Sequence, residues 1–402
     1  MKPLRGGIRL EGKKEATTIP WTIARPAVPK RVRIPLSDSH SSAEATVNIG
    51  DSVKRGEKIA GPGNETSVAI HASLSGKITG MNGFIEILSD NKDEPLAGMG
   101  QERPQWESLG PLETCKILQE AGVISLFPLF ARPVDTIIVN GCESEPYLTS
   151  DYCLMMSHPS ELLKGAEILR RVFGAKDLIF AAEDNKEDAA ELLKSKIFLH
   201  HHRAMRVEVL PARYPQGNNK ILVRRLAEAG AVVFDVATIY AAYEAVVLQK
   251  PFYETAVTIG GECVAQPQNF WLRVGTPVGD AVKYARGFLR QPGKVILGGP
   301  MTGTALLSLD LPVVKKSRGI LGLPREIVKP ESVDPCIRCG RCIESCPESL
   351  SPVMITLAAE NNLFDLAQDY GAHLCIECGN CSYVCPAKRP MVELIQYANA
   401  HG

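Results

Sequence analysis

Two groups of four cysteines near the C-terminus constrain this chain of 402 residues more than any other feature. Both groups have the spacing C-x2-C-x2-C-x3-C-P, in which three cysteines ligate one iron–sulfur cubane and the fourth ligates the cubane of the other group. The sequence therefore predicts two [4Fe–4S] clusters close enough together for electron transfer. We assign cluster one to Cys336, Cys339, Cys342 and Cys385, and cluster two to Cys375, Cys378, Cys381 and Cys346.

Two structural zinc sites are the alternative interpretation of these cysteines. Zinc sites usually take their ligands as separated C-x2-C pairs, not as an evenly spaced triplet with a fourth cysteine and a proline. The iron–sulfur interpretation is therefore favoured. Gly340 and Gly379 are expected to let the ligand loops approach the cubanes closely. The apolar spacing of residues 349–371, between the two groups, predicts helices and hence a helical dicluster domain.

The bulk composition excludes several functional classes. Lysine plus arginine equals aspartate plus glutamate, at 45 each, so no basic excess indicates a nucleic-acid partner. The longest apolar run, Val123–Ala131, contains a proline and is far shorter than the roughly 20 apolar residues that cross a bilayer. Residues 1–30 are charged and lack the apolar segment of a signal peptide. We expect a cytoplasmic protein, or one held against a membrane through a partner.

Upstream of the cysteines, short strands give way to alternating strands and helices. Residues 30–90 resemble a barrel-sandwich domain of the biotinyl or lipoyl type, without the carrier lysine. Residues 112–249 alternate apolar strands with helical stretches, which indicates an α/β layout. The strand Thr136–Asn140 ends in an acidic turn with Glu143 and Glu145, and ligands of α/β sheets collect at such carboxyl ends. A polar loop without a ligand is the alternative.

Glycine-dense turns follow in the β-rich stretch that begins at Ala256. One of them runs from Gly298 to Gly303. Such a turn can cradle a ligand, but more often its glycines only permit tight backbone geometry. We therefore predict a tight turn there and keep the ligand cradle as the alternative.

The order of these parts resembles the RnfC subunit of the Rnf ferredoxin:NAD⁺ oxidoreductase complex. The resemblance covers nearly the whole chain. It implies a barrel-sandwich domain, an α/β domain like the flavin- and NADH-binding subunit of complex I, a ubiquitin-like β domain that binds soluble ligands (SLBB), and a helical dicluster ferredoxin domain. The matching residues are Gly6-Gly7-Ile8, Asn140, Glu145-Pro146-Tyr147, Asp151, Glu183–Lys186, Tyr214-Pro215, Gly217, Gly261–Pro277, Gly298–Met301 and both cysteine groups.

The resemblance also implies domain bounds and a flavin site. The α/β domain is expected to bind FMN, with Asn140, Glu143, Glu145 and Lys220 as the candidate residues. The expected parts are an N-terminal arm (1–29), a barrel-sandwich domain (30–95), a Rossmann-like α/β flavoprotein domain (105–250), an SLBB-like β domain (251–325) and a ferredoxin domain with both clusters (330–402).

The chain departs from the family pattern at the nucleotide site. The family has a glycine-rich loop just before the strand that ends in Asn140, through which backbone amides approach flavin and nucleotide phosphates. Here residues 122–135 contain no glycine after the first and carry bulky apolar side chains. Asn218 and Asn219 replace a glycine and a charged or small residue, and Asp235 replaces an asparagine and is expected to repel a phosphate. We expect impaired NAD(H) use, with FMN as a candidate cofactor.

These interpretations lead to three functional hypotheses. The first is an electron-transfer subunit on the cytoplasmic face of the cell membrane, which passes electrons through two clusters between a soluble donor or acceptor protein and membrane subunits of an Rnf-like complex. The second is a fully active subunit that binds FMN and NAD(H). The third is a docking module with structural clusters. No nucleic acid is involved, and membrane contact is expected only through partners.

Overall fold

The computed structural model describes residues 3–37, 42–64, 67–123, 133–227, 230–328 and 332–402. Within them the chain forms a β domain of two small sheets, an α/β domain, a second β domain and a helical C-terminal domain. This architecture confirms the predicted fold class. No helix among these residues is long and apolar enough to span a bilayer.

The N-terminal arm runs across the other domains and contains one short helix, α1 (Glu15–Thr18). The arm pairs with the α/β domain through Ile8 and Tyr214, and with the second β domain through Ala24 and Phe270. The arm therefore forms part of the folded body and connects domains that are distant in sequence.

The first β domain encloses its own apolar core between two antiparallel sheets. Its strands are β1 (Arg31–Pro35), β2 (Ala43–Ala45), β3 (Ser52–Val53), β4 (Lys58–Pro62), β5 (Ile70–His71), β6 (Gly76–Met81) and β7 (Phe84–Ser89). The sheets have the orders β1-β7-β6-β3 and β2-β4-β5. Val32, Ile34, Ile85 and Ile87 enter the core because side chains alternate between the two faces of a strand.

The α/β domain is built on a parallel sheet, as its alternating pattern predicts. Its strands are β8 (Thr136–Asn140), β9 (Asp177–Glu183), β10 (Met205–Leu210) and β11 (Ala231–Asp235), and its helices are α2 (Pro111–Glu120), α3 (Ser150–Ser157), α4 (Pro159–Phe173), α5 (Glu187–Leu199), α6 (Asn219–Leu226) and α7 (Val236–Val247). The strand order is β10-β9-β8-β11, with every pair parallel. All four carboxyl ends therefore lie along one edge.

The second β domain contains a mixed five-stranded sheet. Its elements are β12 (Glu254–Gly260), β13 (Gln268–Arg273), α8 (Val278–Tyr284), β14 (Lys294–Leu297), β15 (Thr304–Ala305), β16 (Gly319–Leu323) and a short α9 (Arg325–Val328). The order is β13-β12-β16-β14-β15, and β12 runs parallel to β16. The turn Gly298–Gly303 joins β14 to β15.

The C-terminal domain is helical, as the spacing between the cysteine groups predicts. Its helices are α10 (Arg341–Glu344), α11 (Pro352–Glu360), α12 (Phe364–Asp369), α13 (Asn380–Val384) and α14 (Met391–His401). Ile355, Ala359, Ala367 and Ile395 form its small apolar core. The two cysteine loops lead into α10 and α13, so both cluster sites are held by helices.

Candidate functional site

The four cysteines assigned to cluster two surround one small cavity in the C-terminal domain. Cys346, from the first motif, lines it together with Cys375, Cys378 and Cys381 from the second. The backbone N–H of Leu350 donates to Cys346 Sγ at 3.4 Å, and such bonds tune cluster potentials. The structure thus brings together this set of cysteines across the two motifs.

The cysteines assigned to cluster one lie in a more open environment. Cys342 and Cys385 pack in one apolar group with Met391, although the two cysteines belong to different motifs. Cys336 is half-buried and Cys339 is exposed. Cluster one is therefore expected to lie nearer to solvent than cluster two.

Burial controls the acidity of the cluster-two thiols. It raises the pKa of Cys378 to about 11 and that of Cys381 to about 12. Thiols of this kind stay neutral at physiological pH unless a bound metal withdraws their protons. The donor set therefore fits a cluster whose iron provides the positive charge that buried thiolates require. Within the described residues, no three or more His, Cys, Asp or Glu side chains are placed to hold a single metal ion.

Gly340 and Gly379 occupy equivalent positions in the two ligand loops. Each has φ +79° and directly precedes the helix that carries the third cysteine. Residues with a Cβ rarely adopt this left-handed conformation. The backbone turn itself therefore favours glycine at both positions.

The carboxyl edge of the parallel sheet opens into a cavity of about 600 Å³. Three domains line it: the α/β domain with residues 142–145 and 217–220, the second β domain with Thr302 and Arg318, and the ferredoxin domain with Cys375–Cys378. The size is within the roughly 300–1,000 Å³ of small-molecule sites. The predicted acidic turn thus borders a cavity whose opposite wall is the cluster-two loop.

Asn140 and Lys220 occupy different parts of this edge. Asn140 Nδ2 donates to Gly217 O at 2.8 Å, and its Oδ1 accepts from Cys142 N at 3.1 Å, so Asn140 holds the two cavity loops together. Lys220 lines the cavity in the first turn of α6, which Asn218 caps by accepting from Lys220 N at 3.0 Å. Lys220 therefore places a cation where a helix N-terminus already favours an anion.

Glu143 is a buried carboxylate held by two lysines. Its Oε1 accepts from Asp151 N at 3.0 Å, and its Oε2 lies 3.3 Å from Lys186 Nζ. Lys14, from the N-terminal arm, donates to the Glu143 carbonyl. Burial would raise the pKa of Glu143, but the ammonium groups of Lys186 and Lys14 outweigh burial and lower it. Glu143 is therefore a fixed negative charge at the cavity wall.

Glu145 joins the α/β domain to the second β domain. Its carboxylate accepts from Met301 N at 2.9 Å, from Thr302 N at 3.0 Å and from the Thr302 hydroxyl. A Cβ at Gly299 would lie 2.4 Å from this carboxylate, so glycine is required there. The turn Gly298–Gly303 thus cradles an anion, but the anion is a side chain of the same chain. This contact makes Glu145 an interdomain link at the cavity.

Asp235 does not present a free charge to a phosphate, contrary to the expectation from sequence. Its side chain caps α7 by accepting from Thr238 N at 2.6 Å and forms an ion pair with Arg318 at 2.7 Å. Asp151 lies 3.8 Å from the same guanidinium, and burial raises the pKa of Asp151 to about 7. Because Arg318 offsets the charge of Asp235, the expected repulsion of a phosphate by Asp235 is wrong.

Lys14 and Arg318 contribute to the cavity although no sequence pattern predicted them. Lys14 follows the Gly6-Gly7 pair by only a few residues, so the arm's resemblance to the family offered a weak signal. Arg318 contacts Asp235, which is 83 positions away, and no local pattern marks such a pair. Lys14 reaches the carbonyl of Glu143 at the cavity wall, and Arg318 lines the cavity, only because the domains pack together.

Tyr214 connects the cavity directly to the cluster-two loop. Its ring lines the cavity, and its hydroxyl donates to the carbonyl of Cys378 at 2.6 Å. On the same side, the arm residue Gly7 donates its N–H to Ser345 O at 2.9 Å, next to Cys346. The α/β domain and the arm therefore hold the backbone around two cluster-two ligands.

Replacing Tyr214 with phenylalanine is expected to lower the reduction potential of cluster two and leave cluster one unchanged. The hydroxyl dipole favours added negative charge near Cys378. The shift should reach a few tens of mV at most, because a hydrogen bond contributes about 1 kcal/mol and 59 mV corresponds to about 1.4 kcal/mol for one electron. Potentiometric EPR titration measures both clusters, and Tyr397→Phe, at an exposed tyrosine outside both cysteine motifs, is the control. Equal shifts in both clusters would contradict this role.

Four sequence families match successive parts of the chain. The RnfC barrel-sandwich hybrid domain matches residues 2–91, the Nuo51 FMN-binding domain 126–247, the SLBB domain 256–305 and the 4Fe-4S dicluster domain 330–386. Together with the cavity and the cysteine sets, they define the class: an iron–sulfur protein with two [4Fe–4S] clusters and an α/β domain of the FMN-binding type.

Curated relatives narrow this class to a family. The chain is 36% identical to the RnfC subunit of the proton-translocating ferredoxin:NAD(+) oxidoreductase complex of Clostridium ljungdahlii, over 99% of this chain and 93% of that one. It is 34% identical to the RnfC subunit of the Na(+)-translocating complex of Acetobacterium woodii, over 98% and 96%. The chain belongs to the RnfC family of Rnf oxidoreductase complexes, which confirms the resemblance found in the sequence.

A more distant relationship appears in solved structures. The NAD+-reducing [NiFe]-hydrogenase in its air-oxidized state matches 73% of this chain and 64% of its own with a TM-score of 0.52. The sequence identity is 17%, so this similarity concerns the fold alone.

Proposed function

We propose that this chain is the electron-transfer subunit of a membrane-associated Rnf-type complex and passes electrons through its two clusters. The observation that carries the proposal is the shared wall of two cavities. Cys375 and Cys378 line both the 600 Å³ cavity at the sheet edge and the small cavity of the cluster-two cysteines. A redox partner in the large cavity would therefore lie directly beside cluster two.

The exposure of the ligands supports an order for the electron path. Two of the cysteines assigned to cluster two, Cys375 and Cys378, line the cavity, whereas Cys339, assigned to cluster one, is exposed. Cys381 and Cys342 pack in the same apolar group, so the two cluster sites adjoin. The proposed path runs between the cavity, cluster two, cluster one and a protein outside this chain.

The residues of the large cavity fit FMN as its resident cofactor. Its volume suits a ligand of this size, and Lys220 at the N-terminus of α6 supplies a cationic group for a phosphate. One oxygen of Asp151 is buried at the cavity without a hydrogen-bond partner among the described residues, as a group that awaits a ligand donor would be. FMN, when bound, would exchange electrons singly with clusters and in pairs with a hydride donor.

Direct use of NAD(H) is proposed to be impaired. Asn218 and Asn219 line the cavity with uncharged amide side chains. At these two positions the family tends to have a glycine and then a charged or small residue. The bulky, glycine-free stretch that replaces the family's nucleotide loop falls mostly on residues 124–132, which lie outside the described residues. The proposal for NAD(H) therefore rests on composition at that loop and on the amide side chains at the cavity.

The relatives support a proposal for the partners and the location. Those of Clostridium ljungdahlii and Acetobacterium woodii are subunits of complexes that translocate protons or Na(+). We infer that this chain lies on the cytoplasmic face of the cell membrane and touches the membrane only through such partner subunits. A soluble electron donor or acceptor protein would complete the path.

Reduction of the purified, reconstituted chain under anaerobic conditions tests the proposal. Reduced methyl viologen is expected to bleach the visible absorbance of both clusters, whereas NADH is expected to leave it unchanged. The flavin released on denaturation measures FMN. One FMN per chain together with bleaching by NADH would favour the second candidate, a fully active FMN- and NAD(H)-binding subunit, which the cation Lys220 at the cavity supports. Iron well below two cubanes per chain would leave only a docking module with structural clusters.

A further inference from the structure

The two cysteine loops have the same spacing but different surroundings, and the second loop shows how such a loop is covered. Ile376 lines the large cavity, and the Cys378 carbonyl accepts from Tyr214. Gly379 packs against the Met301 carbonyl. Asn380 is fully buried and donates to Ser345 O at 3.1 Å. The second loop is therefore packed against other parts of the chain along most of its length.

The equivalent positions of the first loop lie open to solvent. Ile337, the counterpart of Ile376, is 66% exposed, and the ligand Cys339 is exposed. Arg338 and Arg341 are exposed as well. Ile343, just beyond Cys342, adds a second exposed aliphatic side chain. We define these five residues, Ile337, Arg338, Cys339, Arg341 and Ile343, as the cluster-one face.

The charges of the two loops also differ at matching positions. Arg338 and Arg341 stand where the second loop has Glu377 and Asn380. Neither guanidinium forms an ion pair with any residue that the structure describes. The acidic residues nearest in sequence are Asp334, which precedes Arg338, and Glu344, which follows Arg341, so neither lies between the two arginines. The centre of the face therefore combines two aliphatic side chains with two arginines, unpaired within the described part of the chain, around a cluster ligand.

We propose that the cluster-one face docks an electron-transfer protein that presents carboxylates around its own redox centre. The inference rests on the proposed electron path, which leaves the chain at cluster one. The aliphatic side chains would exclude water at the centre of the contact, and the arginines would pair with partner carboxylates and steer the encounter. Electron transfer requires close approach of the two centres, and the exposed Cys339 permits it.

Stopped-flow electron transfer between the full reconstituted chain and a small acidic ferredoxin tests this docking. Arg338→Glu and Arg341→Glu are each expected to reduce the second-order rate about tenfold at low ionic strength, because like charges replace steering charges. The difference should shrink at high salt, since exposed charges are screened. Arg203→Glu is the matched control, because Arg203 is exposed and precedes β10 at the end of the sheet away from the cavity.

Reduced methyl viologen separates this inference from the proposed function, because the small dye needs no docking surface. A lower rate with the ferredoxin, together with an unchanged rate with reduced methyl viologen, supports docking at the cluster-one face. Rates of Arg338→Glu and Arg341→Glu equal to that of Arg203→Glu would overturn it. Failure of viologen to reduce the clusters of the unaltered chain would overturn the proposed electron path and the docking inference with it.

Discussion

Replacing Cys346 with alanine is expected to abolish cluster two while cluster one remains. Cys346 belongs to the first motif, yet it lines one cavity with Cys375, Cys378 and Cys381. The iron and sulfide content should therefore halve, and the remaining EPR signal of the reduced protein should be that of cluster one. Cys385→Ala, in the second motif, is expected to do the reverse and abolish cluster one, because Cys385 packs beside Cys342.

Comparison with variants of the other cysteines assigned to each cluster makes this test specific. Cys346→Ala should match Cys375→Ala in its spectrum, and Cys385→Ala should match Cys336→Ala. Cys263→Ala, at a buried cysteine outside both sets, controls for loss of a thiol and should retain all of its iron. If Cys346→Ala instead resembled Cys336→Ala, each motif would ligate its own cluster and the crosswise assignment would be wrong.

Replacing Lys250 with methionine is expected to destabilise the junction of the domains by about 3–5 kcal/mol, because it removes the ammonium group from the buried Glu244 carboxylate and one of the cations around the buried Glu254. Lys250 Nζ contacts Glu244 and lies 2.7 Å from Glu254 Oε1. Glu254 also pairs with Arg25 of the arm at 2.8 Å and with Arg273 at 3.7 Å. One network, buried except at Arg25, thus joins the arm, the α/β domain and the second β domain.

The network continues into the first β domain. Arg273 pairs with Asp93 at 3.1 Å, and Asp93 pairs with Arg55. Arg55 and Asp93 lie close to the strands of the barrel-sandwich sheets, so this end of the network anchors that domain. The expected loss from Lys250→Met therefore concerns the docking of several domains rather than a single element.

The fluorescence of Trp271 reports this loss, because the Lys250 ammonium lies 5.9 Å from the Trp271 ring centre. Lys194→Met is the matched control. Its partner Glu191 is exposed, and an exposed pair of this kind contributes less than about 1 kcal/mol. In urea unfolding followed by tryptophan fluorescence, the midpoint should shift strongly for Lys250→Met and almost not at all for Lys194→Met. Equal shifts would contradict the structural role of the network.

The same network gives a pH dependence with a definite sign. Burial would raise the pKa of Glu254, but Lys250, Arg273 and Arg25 outweigh it and hold the pKa at about 2. Because this pKa lies below the ordinary value, the ionised carboxylate stabilises the fold above about pH 4.5, and the stabilisation is lost as the pH falls toward 2. Burial raises the pKa of Glu244 instead, although the Lys250 ammonium beside it acts in the opposite direction.

Local patterns predicted the elements of this fold well because their causes are local. One of the helical stretches expected within residues 112–249 is observed as α4 (Pro159–Phe173), with Pro159 at its start and Gly174 ending it in the left-handed conformation at φ 65°. The strand Thr136–Asn140 is observed with the same bounds, since its apolar run suits a strand buried on both faces. The helical linker between the cysteine groups is likewise present as α11 and α12.

Tertiary contacts decided the roles of individual polar residues. The turn Gly298–Gly303 could be a plain turn or an anion cradle, and only the placement of Glu145 against it showed that the chain supplies the anion. Asp235 alone predicts repulsion of a phosphate, whereas Arg318, far away in sequence, neutralises it. Neither pairing has a local signal, because the partners approach only when two domains pack together.

The sequence by itself determined that this chain holds two cubanes, because cysteine spacing and a glycine in the left-handed conformation are properties of short segments. It also determined the order of the domains, because each domain has its own pattern of apolar spacing in strands and helices. Only the tertiary structure decided which cluster site faces the cavity and which faces solvent. The reason is physical: the two loops are nearly equivalent in sequence, and their difference arises from the three domains that cover Cys378 and leave Cys339 exposed.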